Sequence, residues 1–313
     1  MRQWKPAATL ALAGSLAACQ TAPMTEPTPS DAQTIEENAQ ATSAPMQWGD
    51  LLKREKPAPD ATISYGSDPL NVVDIWRPKG TGPHPAVIMI HGGCWKTDIA
   101  QRDIMNYIAA DLRSAGIGVW NIEYRGVDRA GGGYPGSYQD VGEAADLFAA
   151  RGAEFGFDTT KRIAIGHSAG GHLALWLAQR PALPKVSPIR SAHPIALDAA
   201  ISQAGIPDLR QGETLPDHPC GDEGARAMAA GHYAETSPQE MPLTDTPQYL
   251  FNTSADWVAP YLYGEAYRDA MAKRGKTVVL AQTAGEGHVE HIAPDGKTWA
   301  LQKGLIKRLL GVK

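Results

Sequence analysis

The pentapeptide Gly166-His167-Ser168-Ala169-Gly170 places a serine between two glycines. It falls where a short apolar run, Arg162–His167, gives way to the helical spacing of Leu173, Trp176 and Leu177. A serine hydroxyl is a poor nucleophile until a base takes its proton, and the base needs an acid to orient it. When each partner leaves a later strand of one sheet, the chain order is Ser, then Asp or Glu, then His. Asp256 meets that order in "NTSADW", beyond the apolar run Gln248–Thr253, and His288 meets it in "GEGHVEH", beyond Thr277–Gln282. Asp208 in "GIPDL" is a rival acid and His291 a rival base. Asp256 is preferred because it leaves the strand next to the one feeding the histidine. His288 is preferred because "GEG" makes an exposed loop tip.

Acyl transfer also needs donors for the oxyanion. In "HGGCW", His91–Trp95, Gly92 and Gly93 can turn backbone N–H groups inward, and Ala169 N–H supplies another. Trp95 and Trp257 are candidates to line the acyl or alcohol pocket, with core packing as the alternative for both. His167 is expected to pack or hydrogen-bond at the turn. Asp140 is expected to accept hydrogen bonds from its loop or from Arg125, and Glu286 and Glu290 read as solvated loop charges. His288 and His291 form a lone i, i+3 pair with no third ligand nearby, so neither metal nor cofactor is expected.

The elements that must position these residues follow from periodicity. Ala61–Tyr65 and Asn71–Trp76 read as an opening hairpin around "GSDPL". Pro85–His91 is a near-continuous apolar run, as in a central strand covered on both faces. Gly118–Tyr124, Arg162–His167, Ala199–Ala204, Gln248–Thr253 and Thr277–Gln282 supply further strands. Helices are expected at Ile99–Ala115, Ser137–Glu154, Gly170–Gln179, Tyr261–Arg274 and Thr298–Leu310, while Leu209–Met241 lacks a strong period and reads as a possible lid. Strands alternating with helices predict an α/β fold: a mostly parallel central sheet with an antiparallel edge and helices on both faces.

From about Asp60 onward the chain resembles the α/β-hydrolases. "HGGCW", "NIEYR", "GGGYPGSYQDV" and "GHSAGGHLAL" together are similar to the esterase/arylformamidase branch, which includes kynurenine-formamidase-like and small carboxylesterase-like enzymes. The resemblance implies Ser168 as nucleophile, Asp256 as acid, His288 as base, and Gly92, Gly93 and Ala169 as oxyanion donors. The expected activity is hydrolysis of carboxylic esters through an acyl-enzyme, on a small molecule or an acylated polymer. Amide cleavage and a non-catalytic envelope binding role are the alternatives.

The 313 residues carry a formal net charge of −5 and no basic run, which gives no electrostatic case for nucleic acid. Arg2 and Lys5 precede the apolar run Ala7–Ala18, and Cys19 follows Leu16-Ala17-Ala18, as in a secretory signal. The junction resembles a bacterial lipobox, so residues 1–18 are expected to be a signal peptide and Cys19 the lipidated residue that anchors the protein to a membrane. Gln20 in the next position implies outer-membrane sorting by the same resemblance. Residues 19–47, rich in Pro, Thr, Ser, Ala and Glu, read as a flexible tether, with the catalytic domain at 48–313. Export permits a disulfide between the remaining Cys94 and Cys220, which the sequence leaves open.

Overall fold

A computed structural model describes residues 44–214 and 220–313. The expected signal peptide, Cys19 and most of the tether lie outside the described residues.

The chain runs α1 (Trp48–Leu52), β1 (Ala61–Ser64), β2 (Val72–Trp76), β3 (His84–Ile90), α2 (Asn106–Ser114), β4 (Gly118–Ile122), α3 (Gly136–Arg151), β5 (Phe157–His167) and α4 (Ala169–Gln179). It continues through β6 (Ala199–Gln203), α5 (Leu209–Thr214), α6 (Gly221–Ala229), α7 (Tyr233–Thr236), β7 (Gln248–Thr253), α8 (Tyr261–Lys273), β8 (Val279–Thr283) and α9 (Lys297–Leu310). The eight strands form one sheet in the order β1-β2-β4-β3-β5-β6-β7-β8. β1 pairs antiparallel with β2 and β2 with β4, and every later pairing is parallel. This is the α/β-hydrolase fold, with the antiparallel edge that the opening hairpin predicts.

Alternation along β3 shows how the sheet divides the core. Ala86, Ile88 and Ile90 face one cluster with α3, α4 and the chain beyond β6. Val87 and Met89 face the other, with α2, α9 and Leu51 of α1. Both faces of β3 are therefore covered, which is why its sequence is an unbroken apolar run.

Three segments depart from the sequence reading. The helix expected from Ile99 begins as a 3₁₀ turn at Arg102–Met105 and becomes α-helical only at Asn106. Among its described residues, Leu209–Met241 carries three short helices, and its later part is hydrogen-bonded to α4. The indole N–H of Trp176 donates to Glu235 O (3.0 Å), and Gln179 Nε2 donates to Pro238 O (2.8 Å). α4 is accordingly buried along its whole length, as expected of a helix apolar on every side. Pro45 and Met46, assigned by composition to the tether, pack on the domain: Met46 lies against the α2/α9 core, and Met46 N–H donates to Glu290 Oε1 (2.6 Å).

Candidate active site

Ser168 ends the turn from β5 into α4 with φ 54° and ψ −119°, a conformation an L-residue holds only under constraint. The flanking glycines explain how it is held. A Cβ on Gly166 would lie 2.0 Å from Gly170 O, and one on Gly170 would lie 2.2 Å from Ile90 O. Strand, turn and helix thus approach more closely than any side chain allows, and the serine is driven into the left-handed region at the carboxyl end of the central strand.

The HGG loop lies against this turn. A Cβ on Gly92 would meet His167 Nδ1 at 2.9 Å and Ser168 Cβ at 3.0 Å. Gly93, Cys94 and Trp95 follow with φ of 106°, 54° and 56°. His91 Nδ1 lies 2.7 Å from Gly92 O, and Tyr124 Oη donates to His91 O at 3.2 Å. A trans peptide points its N–H opposite its C=O, so the N–H groups of Gly92 and Gly93 are turned away from these two partners. His91 Nε2 in turn contacts the buried Glu123 (2.8 Å). Burial pushes the Glu123 carboxyl up, but His91 and the N–H groups of Arg102 and Tyr124 outweigh it and hold the group below its ordinary value. Cys94 is bonded to Cys220 across 126 residues, with the Cα atoms 5.1 Å apart, which closes the question the sequence left open.

Asp256 and His288 leave the ends of β7 and β8 and meet. His288 Nδ1 lies 2.7 Å from Asp256 Oδ2, and Asp256 Oδ1 accepts the N–H groups of Val258 (2.8 Å) and Ala259 (2.9 Å). Burial pushes this carboxyl up as well, but His288 and the two N–H groups prevail and keep it ionised. A carboxylate can only accept, so Nδ1 carries a proton, and in the neutral tautomer the lone pair is on Nε2. The His288 loop is also tied to the serine turn: His167 Nε2 donates to His288 O (3.0 Å), and the two rings lie 4.5 Å apart. This bond to a carbonyl protonates His167 at Nε2. Its Nδ1 has no hydrogen-bond partner among the described residues, and burial keeps the ring neutral.

The rivals lie elsewhere. Asp208 accepts Arg210 N–H (2.9 Å) and Gln239 Nε2 (2.8 Å) at the start of α5. His291 is enclosed beside Gln302, with Nδ1 2.9 Å from the amide Nε2. Asp140 forms a two-point ion pair with Arg125 at 2.7 Å through each oxygen. Trp95 is 1% exposed and donates to His172 Nδ1 (3.1 Å), which is the core-packing alternative. Trp257 is 71% exposed beside Asp256. Glu290 is buried rather than solvated, and Glu286, half-buried, is engaged by backbone N–H groups. Glu286 accepts the N–H groups of Lys297 (2.6 Å) and Thr298 (2.7 Å) at the start of α9, where a helix leaves donors unpaired. Glu290, 6% exposed, bridges Met46 N–H and Gly287 N–H.

The sequence reading missed Trp48. Its ring stands edge-on to His288 (centroids 6.2 Å apart) and to His167 (6.1 Å). No local pattern signals this, since 240 positions separate it from His288. Among the described residues no group of three or more His, Cys, Asp or Glu could hold a metal ion, and no helix is long and apolar enough to cross a membrane.

Residues 73–258, more than half the chain, match the BD-FAE family. Esterase LipC of Mycobacterium tuberculosis is 33% identical over 115 residues, 36% of this chain and 28% of the relative, so the chain spans little more than a quarter of that relative's length. A truncated carbohydrate esterase from gut microbiota superposes with a TM-score of 0.66 at 19% identity, covering 82% of this chain and 99% of the other. Esterase 2 of Thermogutta terrifontis phosphonylated by sarin gives a TM-score of 0.65 at 22% identity, over 82% of this chain and 96% of the other.

Proposed function

Because the chain belongs to the BD-FAE family, an α/β-hydrolase-like esterase family, we propose that it hydrolyses carboxylic esters with Ser168 as nucleophile, His288 as base and Asp256 as the acid that orients it. The observation that carries this reading is the 2.7 Å contact between His288 Nδ1 and Asp256 Oδ2, joined through His167 to a serine held in a left-handed turn. The likeness to LipC, itself an esterase, supports it.

In the proposed reaction Ser168 Oγ attacks the ester carbonyl as its proton passes to His288 Nε2, and the carbonyl electrons move onto oxygen. The N–H groups of Gly92, Gly93 and Ala169 receive that oxyanion, Ala169 from the N-terminal end of α4, where the helix dipole also favours negative charge. Collapse breaks the bond to the alcohol, which leaves with the proton from His288. Water then gives a proton to the same nitrogen and attacks the acyl-enzyme, and breakdown returns the proton to Ser168 and releases the acid. Asp256 stays ionised throughout and balances the imidazolium formed in each half.

The test is turnover of p-nitrophenyl acetate by the purified protein and by Ser168→Ala. Clear turnover in the parent and none in the variant is expected; equal rates in the two, both folded by circular dichroism, would overturn the reading. A matched ester and anilide pair then measures the preference for esters over amides. We further propose export and lipidation at Cys19. The basic and apolar run before it supports this, as does the Cys94–Cys220 bond, which persists in oxidising compartments. Radiolabelled palmitate incorporation that is lost in Cys19→Ala is the expected result in a bacterial host.

A further inference from the structure

The loop that carries His288 is held from outside the catalytic strands. Glu290, two residues beyond the histidine, lies almost wholly buried and uses both carboxylate oxygens: Oε2 accepts Gly287 N–H (3.1 Å) and Oε1 accepts Met46 N–H (2.6 Å). Pro45 closes on the same point, since a Cβ on Gly287 would lie 3.0 Å from Pro45 Cβ. Leu51, fully buried in the α2/α9 core, and a two-point ion pair of Arg54 with Asp295 (2.6 and 3.0 Å) fasten the other end of this segment beyond the loop. Pro45–Arg54 thus forms a strap across the base loop.

Trp48 is the strap's contact with the imidazole itself. Its ring lies edge-on to His288 and to His167, which closes a three-ring cluster with the two histidines. His288 is left 7% exposed, although it sits at the tip of a loop. The Asp256 contact fixes Nδ1 but leaves the ring free to tilt about that one bond. Packing at its flank restricts the tilt, which matters because a displacement of about 1 Å in a reacting group can cost about 10²-fold in rate.

We infer that Trp48, carried by the Pro45–Arg54 strap and locked through Glu290, is a positioning residue for His288. The inference rests on the ester-hydrolase reading above. Trp48 never meets the substrate in this role; it holds the base in line with Ser168. Its loss therefore lowers kcat and leaves KM nearly unchanged. Another aromatic ring restores the rate, whereas an aliphatic side chain does not.

The experiment measures kcat and KM for p-nitrophenyl acetate, and the rate of Ser168 labelling by a fluorophosphonate, in the full chain and in Trp48→Ala, Trp48→Phe and Glu290→Gln. In Trp48→Ala, kcat and the labelling rate are expected to fall about tenfold, with KM changed less than about twofold, and Trp48→Phe recovers most of the loss. Glu290→Gln keeps the side-chain volume, weakens the bonds to Met46 and Gly287, and shifts kcat in the same direction. Trp48 is 39% exposed and belongs to neither hydrophobic core, so the fold is expected to survive its truncation. Should Trp48→Ala fail to fold, Glu290→Gln decides alone, and parental kcat in that variant overturns the inference. Parental kcat in Trp48→Ala overturns it too, as does a rise in KM alone, which would make Trp48 a substrate contact. Equal losses in the Phe and Ala variants also exclude ring packing. An inert parent, or full activity in Ser168→Ala, would instead remove the ester-hydrolase reading on which this one stands.

Discussion

The two halves of the site are built by different means. The Ser168 turn and the HGG loop sit on neighbouring central strands, β5 and β3, and are fixed by backbone proximity: glycines that admit no Cβ, three successive left-handed residues and a disulfide. The proposed acid and base, Asp256 and His288, follow β7 and β8, at the far edge of the sheet, where β8 is only half-buried. They are fixed by side chains that reach across the fold: Asp256 to His288, His167 to the His288 carbonyl, and Glu290 to a strap more than 240 residues away. An oxyanion has to be met by donors that do not move, whereas a base must turn between two oxygens during the cycle. Rigid backbone suits the first requirement, and a side chain packed by its neighbours suits the second.

Substitutions can break this contrast at several strengths. Ser168→Ala removes the proposed nucleophile, and kcat for p-nitrophenyl acetate is expected to fall by roughly 10⁶ with unchanged circular dichroism. Asp256→Asn strikes only the edge half. It replaces an acceptor with an amide that can stabilise the wrong imidazole tautomer, and a loss of about 10⁴ in kcat is expected, with thermal stability changed far less. Gly93→Ala strikes only the central half. Its φ of 106° is hostile to a Cβ, which would lie 2.8 Å from the Ala100 methyl, so the loop must shift and carry its N–H away. A kcat loss of roughly 10²–10³ with little change in KM is the expected signature of a lost oxyanion donor.

A further pair of measurements sharpens the contrast through stability. Replacing Cys94 and Cys220 together by Ser releases a closure of 126 residues and is expected to cost about 5 kcal/mol in chemical unfolding by loop-closure entropy. The edge half contains no disulfide among the described residues and gains nothing from an oxidising buffer. The pH dependence is subtler. Burial lowers His172, which lies beneath Trp95 in the central half, from 6.5 to about 4, because its neighbours are an indole N–H and a backbone carbonyl rather than a carboxylate. The unfolded chain then binds the proton that the folded chain refuses. Stability is full above about pH 6.5, falls as the pH drops toward 4 and levels off below it, on the order of 3 kcal/mol for this group. His167 and His291 are depressed by burial in the same sense and add to the slope. Urea midpoints across that range, in the parent and in His172→Gln, are expected to show a shallower decline in the variant.

Much of the central half was legible in the chain. The strand-to-helix switch around Ser168, the glycine pair of the HGG loop and the apolar run of β3 are local patterns, because backbone conformation is dictated by the residues that adopt it. Asp256 and His288 were legible as chain order and loop position, although their 2.7 Å contact was not. Leu209–Met241 shows no period in the sequence because α5, α6 and α7 are one to three turns each, too short to show one, and its contacts with α4 are backbone carbonyls that accept from the side chains of Trp176, Gln179 and His172. Glu286 and Glu290 read as solvated because charge predicts exposure. Their partners are backbone N–H groups, which carry no sequence signature.

By itself the sequence determined the layered α/β architecture, the position of the serine turn and the candidate partners in their order. Those features depend on propensity, periodicity and the special freedom of glycine, all properties of a residue and its near neighbours. Only the tertiary structure decided that Asp256 meets His288, that Cys94 joins Cys220, and that Met46 bonds to Glu290 beside the His288 loop. Each of those joins groups separated by between 32 and 244 positions, and such a contact exists only once packing has brought the two segments together.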